Sequence, residues 1–332
     1  MGRSVNVEDM TQIEGMAAAN LEAAARDQED LEAEAMAALE EQESKPVFVG
    51  HTRFSVHSPN SGAWVASNGS KMTEAEYLEH LFSDERMEPR ADIFFNYTLP
   101  MLAYAAKASD VLFRHVVSYS DSLPRRYQDQ MEAAAAQFPF VLLDKVPAGG
   151  GGLNTAKAAR ALMLEAGLPI DTVFGSMRLD DDDILSADYF DQMAQYLTEA
   201  HVGYVVTLAR GVTALYENGE FFYARDAVYP LHSKGHLSIC RYNRDGSLSA
   251  PVGTSHNRSD RANPVILDSR KFSHIWVRSV NQDTALYQLA QGREGQLARI
   301  YQDMEQYPVL TEMWEDAFPQ AAGRLHTYKP DA

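Results

Sequence analysis

Four consecutive aspartates, Asp180 to Asp183, are the residues of this sequence whose type and spacing most directly suggest chemistry. They follow a short, mostly apolar run, Val173 to Leu179, which predicts a buried strand, and Ile184 begins a predicted turn and helix. Adjacent carboxylates about 5 Å apart repel each other by roughly 3 kcal/mol per pair at an effective dielectric near 20. This aspartate run therefore needs either solvent or a compensating cation.

Two interpretations of the aspartate run are open. In the first, the loop is solvated and its carboxylates cap the following helix, where they face exposed N–H groups. In the second, one or two carboxylates hold a hard divalent cation, and the phosphates of a nucleotide supply further oxygen ligands. The second interpretation is favoured, because open α/β sheets bind their ligands beyond the carboxyl ends of the strands.

The segments around the run predict an α/β fold. Strand-like and helix-like segments alternate through the first half of the chain, and this cadence favours a parallel sheet covered on both faces. Asn218-Gly219 lies between two apolar segments, a pattern typical of a hairpin. The predicted strands are 46–55, 111–119, 138–146, 173–179, 202–208 and 271–280, and the hairpin is 214–223.

The first 44 residues differ in composition from the rest of the chain. They hold 12 Asp and Glu but only two Arg, and residues 8–43 are rich in the strong helix formers Ala, Glu, Met and Leu. We expect a helical extension over residues 1–44 that packs on the body or on a second copy, with an acidic segment that is only partly ordered alone as the alternative. Packing on a second copy would make the protein a homo-oligomer.

Charge and cysteine content limit the partners and the location. The net charge of −18 argues against nucleic acid, because phosphate backbones are bound by clustered Lys and Arg. Cys240 is the single cysteine, which excludes an intramolecular disulfide and fits a reducing cytoplasm. The sequence contains neither a signal-peptide pattern nor 18 consecutive apolar residues, so a cytoplasmic protein without a membrane segment is expected.

A glycine-rich turn precedes the predicted strand of the aspartate run. Gly149 to Gly152 allow the backbone to approach a ligand closely, and Asn154 or Thr155 can cap a helix over 156–166 whose positive end faces an anion. The pattern matches neither the phosphate loop nor the dinucleotide fingerprint, and a flexible linker is the alternative. A later loop-like segment, 230–248, carries His232 and Lys234; such segments commonly close over ligands, and a simple connecting loop is the alternative.

Taken in order, these motifs carry a resemblance to a known family. They are Thr52-Arg53-Phe54-Ser55, the glycine-rich turn with Asn154, the helix with Lys157 and Arg160, and Arg178-Leu179 followed by the aspartate run. This ordered set resembles the nucleotide-sugar half of GT-A glycosyltransferases, and most closely a bacterial rhamnosyltransferase-like family. The resemblance covers roughly residues 46 to 290 and leaves the first 44 residues unexplained.

The resemblance implies a GT-A-like, Rossmann-like fold and an activity. It implies an enzyme that moves a sugar, with rhamnose as a candidate, from a nucleotide diphosphate donor to a hydroxyl of a glycan or lipid-linked acceptor. Mn²⁺ or Mg²⁺ would be the cofactor, because a divalent cation stabilises the negative charge of the departing diphosphate. Residues 45–200 would form the half that binds the nucleotide sugar, and residues 201–332 the half that binds the acceptor.

The resemblance also assigns site residues. The last acid of the motif binds the cation and the first reaches the ribose or the cation, which gives Asp183 and Asp181. Asp180 with Asp182 is the alternative register. A histidine late in the chain completes the metal shell of many GT-A enzymes, which gives His274, with a core histidine as the alternative. The candidate donor contacts are Thr52, Arg53, Asn154, Lys157, Arg178 and Asp181, with a salt bridge to a nearby aspartate as the alternative for Arg178.

The general base is the least determined part of the prediction. An inverting reaction needs a base within hydrogen-bond reach of the acceptor hydroxyl, whereas a retaining reaction needs none. Asp260 and Asp283 are the preferred candidates, ahead of Asp226.

Two other functions stay open at this point. A non-catalytic calcium-binding or scaffold protein could load calcium on the aspartate run, although the spacing is not that of an EF-hand loop. A nucleotidyltransferase on a similar α/β fold could use the aspartates for two-metal phosphoryl chemistry.

Overall fold

The computed structural model describes residues 45–59, 73–150, 152–280, 282, 292–312 and 314–330. The predicted helical extension over residues 1–44 lies outside the described residues and stays a prediction, as does the oligomer inferred from it. None of the described helices has the length and apolar character needed to cross a bilayer.

Twelve strands are present in the described part of the chain. They are β1 (Val47–Phe54), β2 (Leu112–Ser120), β3 (Val141–Val146), β4 (Val173–Arg178), β5 (Asp183–Leu185), β6 (Val205–Leu208), β7 (Arg210–Glu217), β8 (Glu220–Val228), β9 (His236–Tyr242), β10 (Leu248–Ser249), β11 (Val265–Asp268) and β12 (His274–Arg278). The α-helices are α1 (Glu74–Leu81), α2 (Asp84–Ile93), α3 (Leu99–Ala108), α4 (Arg125–Gln137), α5 (Thr155–Glu165), α6 (Tyr189–Ala194) and α7 (Gly292–Met304).

The larger sheet has the strand order β11-β6-β9-β4-β1-β2-β3, with the short β10 paired to β9. Neighbouring strands are parallel in the pairs β1–β2, β2–β3, β1–β4 and β6–β11. Strand β9 runs antiparallel to both β4 and β6. The predicted fold class, α/β with a mostly parallel central sheet flanked by helices, is confirmed.

Alternation along β1 explains how both faces of this sheet are covered. Phe48 packs into the main hydrophobic core, where its ring contacts Phe190 of α6. Val47 and Val49 point to the opposite face and pack with Ala159 and other residues of α5. Successive side chains of a strand point to opposite faces, so an uninterrupted apolar strand serves two cores.

A smaller sheet has the order β5-β12-β7-β8. Its first strand begins at Asp183, so the aspartate run is the connection between the end of β4 in one sheet and the start of β5 in the other. The sequence predicted a turn and helix from Ile184. This prediction was wrong for Ile184 and Leu185, which lie in strand β5. Ile184 and Leu185 pair with β12 and are fully buried, and this tertiary pairing overrides the local preference.

The helix pair α2 and α3 is joined by a π-helical segment, Phe94–Thr98. Pro100 lies in the first turn of α3, directly after this segment. Proline lacks the N–H that an interior helical residue donates, so its placement at a helix start is favourable. The predicted hairpin is confirmed, with Asn218 and Gly219 both at positive φ between β7 and β8.

Phe190 is the residue through which the stability of the main core can be tested. Its buried ring lies 5.0 Å from that of Phe48 and 4.8 Å from that of Phe113. We expect Phe190→Ala to lower the free energy of unfolding by about 3–5 kcal/mol, because it leaves a cavity against the sheet. Urea unfolding measures this loss. Tyr104→Ala is the control, because Tyr104 is 48% exposed, and a loss as large in that variant would contradict the assignment of the core.

Candidate active site

A cavity of about 330 Å³ lies at the carboxyl ends of β1 and β4. All four residues of the aspartate run line it, together with six cationic side chains. In a chain whose net charge is −18, a cavity with more cationic than acidic groups is suited to an anionic ligand. The six cationic residues are Arg53, Arg86, Arg90, Arg178, Lys234 and Arg278.

The backbone of the aspartate run is fixed at both ends. At its start, the Leu179 N–H donates to the His51 carbonyl at 3.1 Å, and the Thr52 hydroxyl donates to the Leu179 carbonyl at 2.9 Å. At its end, the Thr98 hydroxyl donates to the Asp183 carbonyl at 2.9 Å. Strand β1 and the π-helical segment therefore determine the direction in which the four carboxylates point.

Helix α2 supplies two buried cations to the cavity. Arg86 and Arg90 are four residues apart and lie on one face of the helix. Arg86 donates to the Ser55 hydroxyl and to the Leu81 carbonyl, each at 2.9 Å. Arg90 forms an ion pair with Asp181 and lies 3.4 Å from Asp182. Both arginines thus brace the walls of the cavity as well as giving it positive charge.

Asp180 is held as an anion. Arg178 donates to its Oδ1 at 2.9 Å, and the Ser233 hydroxyl donates to its Oδ2 at 2.7 Å. Burial raises the pKa of Asp180, but Arg178 and the Ser233 hydrogen bond outweigh burial and bring that pKa to about 2. Arg178 therefore lines the cavity while it is paired with the first aspartate of the run.

Asp181 and Asp183 are more deeply buried, at 4% and 3% exposure. Burial raises the pKa of Asp181 to about 6, even though Arg90 opposes the change. Burial also raises the pKa of Asp183 well above its usual range, and Lys234 only partly offsets this effect. Among the described residues, no group donates a hydrogen bond to the Asp183 carboxylate. A buried carboxylate without a donor attracts a cation or a proton.

The residues present fit a divalent cation whose shell is completed by a ligand. Within the described ranges, no three His, Cys, Asp or Glu side chains are grouped as a metal site. Magnesium-type sites commonly use one or two carboxylates, and substrate phosphates and water supply the other oxygens. Asp183 offers such a carboxylate to the cavity, whereas Asp180, Asp181 and Asp182 are each already bound by an arginine.

His274 is not among the residues that line the cavity. It is fully buried, its Nδ1 lies 2.8 Å from the Ser273 hydroxyl, and its ring centroid lies 4.4 Å from that of His232. Burial and the nearby His232 and Lys234 lower its pKa well below the usual range. The structure therefore does not bring His274 together with Asp181 and Asp183, and its placement is that of a core histidine.

The predicted donor contacts divide into two groups. Arg53, Arg178 and Asp181 line the cavity. Thr52 is buried and binds the backbone as described above. Asn154 caps α5 by accepting from the Ala156 N–H at 2.8 Å, and Lys157 is exposed on the same helix; neither lines the cavity.

The candidate bases are only partly described. Asp260 is exposed in the short 3₁₀ helix His256–Arg261, and it does not line the cavity, although His256 does. Asp226 is paired with Arg210 at 2.6 Å. Asp283 lies outside the described residues. Asp260 and Asp283 thus stay predictions.

Sequence reasoning missed several residues of the cavity. Arg86 and Arg90 were not singled out, although their spacing of four residues in a helix was the available signal. Trp276 and Tyr229 line the cavity and lie with ring centroids 5.6 Å apart, but nothing in the sequence connects them. Lys234 belongs to a segment that was recognised only as a ligand-covering loop.

Comparisons with known proteins give one family match. Residues 47–285 match the family described as "Putative rhamnosyl transferase". No curated protein matches the chain.

Similarity to solved structures is weak. Staphylococcus aureus TarS (residues 1–349) is 10% identical with a TM-score of 0.31, over 69% of this chain and 60% of that chain, less than two thirds of its length. The inositol-1-phosphate CTP transferase of T. maritima is 9% identical with a TM-score of 0.30, over 74% and 96% of the two chains. A 4-diphosphocytidyl-2C-methyl-D-erythritol synthase is 14% identical with a TM-score of 0.28, over 79% and 99%.

Removal of Arg90 tests the charge compensation in this site. Arg90→Met leaves Asp181 and Asp182 without their cation, so we expect the free energy of unfolding to fall by about 3–5 kcal/mol in urea unfolding at pH 7. The double variant Arg90→Met/Asp181→Asn should recover part of the loss, because it removes a buried charge. If the double variant loses as much free energy of unfolding as the Arg90→Met and Asp181→Asn single variants together, the two residues are not coupled. Arg244→Met is the exposed control, with an expected change of about 0–1 kcal/mol.

Proposed function

The chain belongs to the family described as "Putative rhamnosyl transferase", and from this premise we propose that it is a glycosyltransferase that transfers a sugar from a nucleoside diphosphate donor to an acceptor hydroxyl. The family indicated by the sequence motifs is thereby confirmed. The observation that carries the proposal is the cavity at the ends of β1 and β4, in which six cationic side chains surround the aspartate run. We propose rhamnose as the sugar and a glycan or lipid-linked glycan as the acceptor.

The proposed reaction exchanges one bond to the sugar for another. The bond between the anomeric carbon and the diphosphate oxygen breaks, and its electron pair leaves with the nucleoside diphosphate. The acceptor oxygen forms a new bond to the same carbon, and its proton passes to a general base. Charge develops on the diphosphate as the bond breaks, so fixed cations aimed at that oxygen lower the barrier.

We propose that Asp183 holds Mn²⁺ or Mg²⁺, with Asp181 as the second carboxylate. The cation, when bound, would supply electrostatic stabilisation of the diphosphate. The carboxylate of Asp183 faces the cavity without a hydrogen-bond donor among the described residues, which favours it over the alternative register of Asp180 and Asp182. Arg90 would hold Asp181 in place while this second ligand position is used.

The cationic walls would recognise the diphosphate rather than the sugar. Arg53 and Arg178 lie where β1 and β4 end, next to the aspartate run. Burial and the neighbouring Arg178 lower the pKa of Arg53, which indicates crowded positive charge on this wall of the cavity. Crowded cations are stabilised by an anion, and a diphosphate is an anion of suitable size and charge.

We propose the cytoplasm as the location. Cys240 is a buried free thiol, and an unpaired cysteine fits a reducing compartment.

A thermal-shift experiment tests the proposed function. The intact protein is heated with UDP, GDP, dTDP or CMP, each with and without Mn²⁺. We expect one nucleotide to stabilise the protein more with the metal than without it, by about 2.7 kcal/mol at 100 times its dissociation constant. Asp183→Asn should lose the metal-dependent part, whereas Asp316→Asn, an exposed acid outside the cavity, should retain it.

Two outcomes would contradict the proposal. Stabilisation by Ca²⁺ alone, without an effect of any nucleotide, would indicate a structural ion site. Release of pyrophosphate from a nucleoside triphosphate, without sugar transfer from a nucleotide sugar, would indicate a nucleotidyltransferase instead.

A further inference from the structure

Lys234 differs from the other cations that line the cavity. Its side chain is 7% exposed, and its Nζ lies 4.2 Å from the ring centroid of Trp276. No described residue forms a hydrogen bond or an ion pair within 4 Å with this ammonium group. A buried cation without an anion is costly unless a ligand compensates it.

Three other cations that line the cavity, Arg90, Arg178 and Arg278, are each paired with a carboxylate. Arg90 is paired with Asp181, and Arg178 is paired with Asp180 at 2.9 Å. Arg278 donates to Asp303 at 2.5 Å, and its guanidinium carbon lies 3.4 Å from the ring centroid of Trp276. Lys234 thus reaches the cavity as a cation held against the indole ring, with no carboxylate in ion-pair contact among the described residues, although Asp183 and Asp180 attract it at longer range.

His232 holds the backbone of Lys234 in this position. The Lys234 N–H donates to His232 Nδ1 at 3.0 Å, so Nδ1 carries no proton. His232 Nε2 lies 2.9 Å from the Leu208 carbonyl and must therefore donate to it. This pair of hydrogen bonds requires the neutral ring with the proton on Nε2. Burial and Lys234 lower the pKa of His232 to about 3, which agrees with a neutral ring.

The residues on either side of Lys234 are also fixed. The Ser233 hydroxyl binds Asp180, as described above. The Gly235 N–H donates to the Arg178 carbonyl at 3.0 Å, and the Tyr189 hydroxyl donates to the Gly235 carbonyl at 2.7 Å. Gly235 has a φ of +65°, and a Cβ there would lie 2.6 Å from the Tyr189 ring, so only glycine fits. The ammonium group is therefore carried by a rigid segment.

We propose that Lys234 is a catalytic residue that contacts the departing diphosphate directly, and that His232 is the positioning residue that aims it. This inference rests on the proposed function and adds a protein cation to the metal at Asp183. As the bond to the anomeric carbon breaks, its electron pair passes to the diphosphate oxygen, and the Lys234 ammonium stabilises that charge without giving up a proton. A charge that is preorganised in a buried site needs little reorganisation when the reaction occurs.

The test of Lys234 begins with nucleotide binding. Isothermal titration calorimetry is carried out with whichever of UDP, GDP and dTDP the native protein binds, and with the matching uncharged nucleoside. We expect Lys234→Met to weaken diphosphate binding at least 10-fold and to leave nucleoside binding unchanged, because a charge-assisted hydrogen bond is lost. Lys107→Met, an exposed lysine outside the cavity, should bind both as the native protein does.

Turnover gives the second measurement. We expect Lys234→Met to lower kcat by about 10²–10³-fold, as removal of one oxyanion-stabilising donor does, and Lys234→Arg to recover part of it. Methionine has a similar length and no charge, so the variant should melt no lower than the native protein. A Lys234→Met variant with native diphosphate affinity and native kcat would overturn the inference.

The two proposals fail in different ways. If the native protein binds none of the nucleoside diphosphates, the proposed function fails. If the native protein binds one of them and transfers sugar while Lys234→Met does the same equally well, only the role of Lys234 fails.

The positioning role of His232 is tested through the hydrogen bond that its Nδ1 accepts from the Lys234 N–H. His232→Ala removes the acceptor for the Lys234 N–H, and we expect kcat to fall at least 10-fold with a smaller change in KM. His232→Asn keeps an acceptor at the position of Nδ1 and should recover part of kcat. Equal kcat in His232→Ala and the native protein would overturn the positioning role.

Discussion

Compensation of four adjacent carboxylates is the constraint on which the structure of this site depends. The aspartate run connects the end of β4 in the larger sheet to the start of β5 in the smaller one, so both of its ends are held by strands. The compensating cations come from separate parts of the chain: Arg90 from α2, Arg178 from β4 and Lys234 from the segment before β9. The charge of the aspartate run is therefore compensated by elements that are distant from one another in the sequence.

This arrangement links the chemistry of the cavity to the stability of the fold. A buried carboxylate that loses its cation becomes an uncompensated charge, which costs more than the pair itself contributes. Asp181 and Arg178, which we propose to take part in binding the cation and the diphosphate, are held by internal ion pairs in the free protein, whereas Asp183 and Lys234 have no such pair among the described residues. Binding of the cation and the diphosphate would replace some of the ion pairs within the cavity with contacts to the ligands. The remaining ion pairs would keep the aspartate run in place during this exchange.

Much of the fold follows from local sequence patterns, but the cavity does not. The apolar run ending at Leu179 and the Asn218-Gly219 turn were sufficient to predict β4 and the β7–β8 hairpin, because their signals are short-range. Strand β9 was read as part of a loop, since its histidine and the preceding glycine resemble loop residues. The ion pair between Arg90 and Asp181 joins residues 91 positions apart, a separation that one sequence does not encode visibly. A histidine in a strand, such as His274, has the same pattern whether it binds a metal or packs in a core.

The π-helical segment between α2 and α3 determines how this part of the chain can vary in length. In a continuous α-helix, residues eight positions apart differ by about 80° around the axis. The wider turn of Phe94–Thr98 absorbs one additional residue, so that Arg90 and Thr98 both face the aspartate run, one holding a carboxylate of the run and the other its backbone. Loss of a single residue here would restore a regular helix in which the two positions, then seven residues apart, differ by only about 20° around the axis. Homologous chains that lack one residue in this segment should therefore still keep both contacts, with a regular helix in place of the π-helical turn.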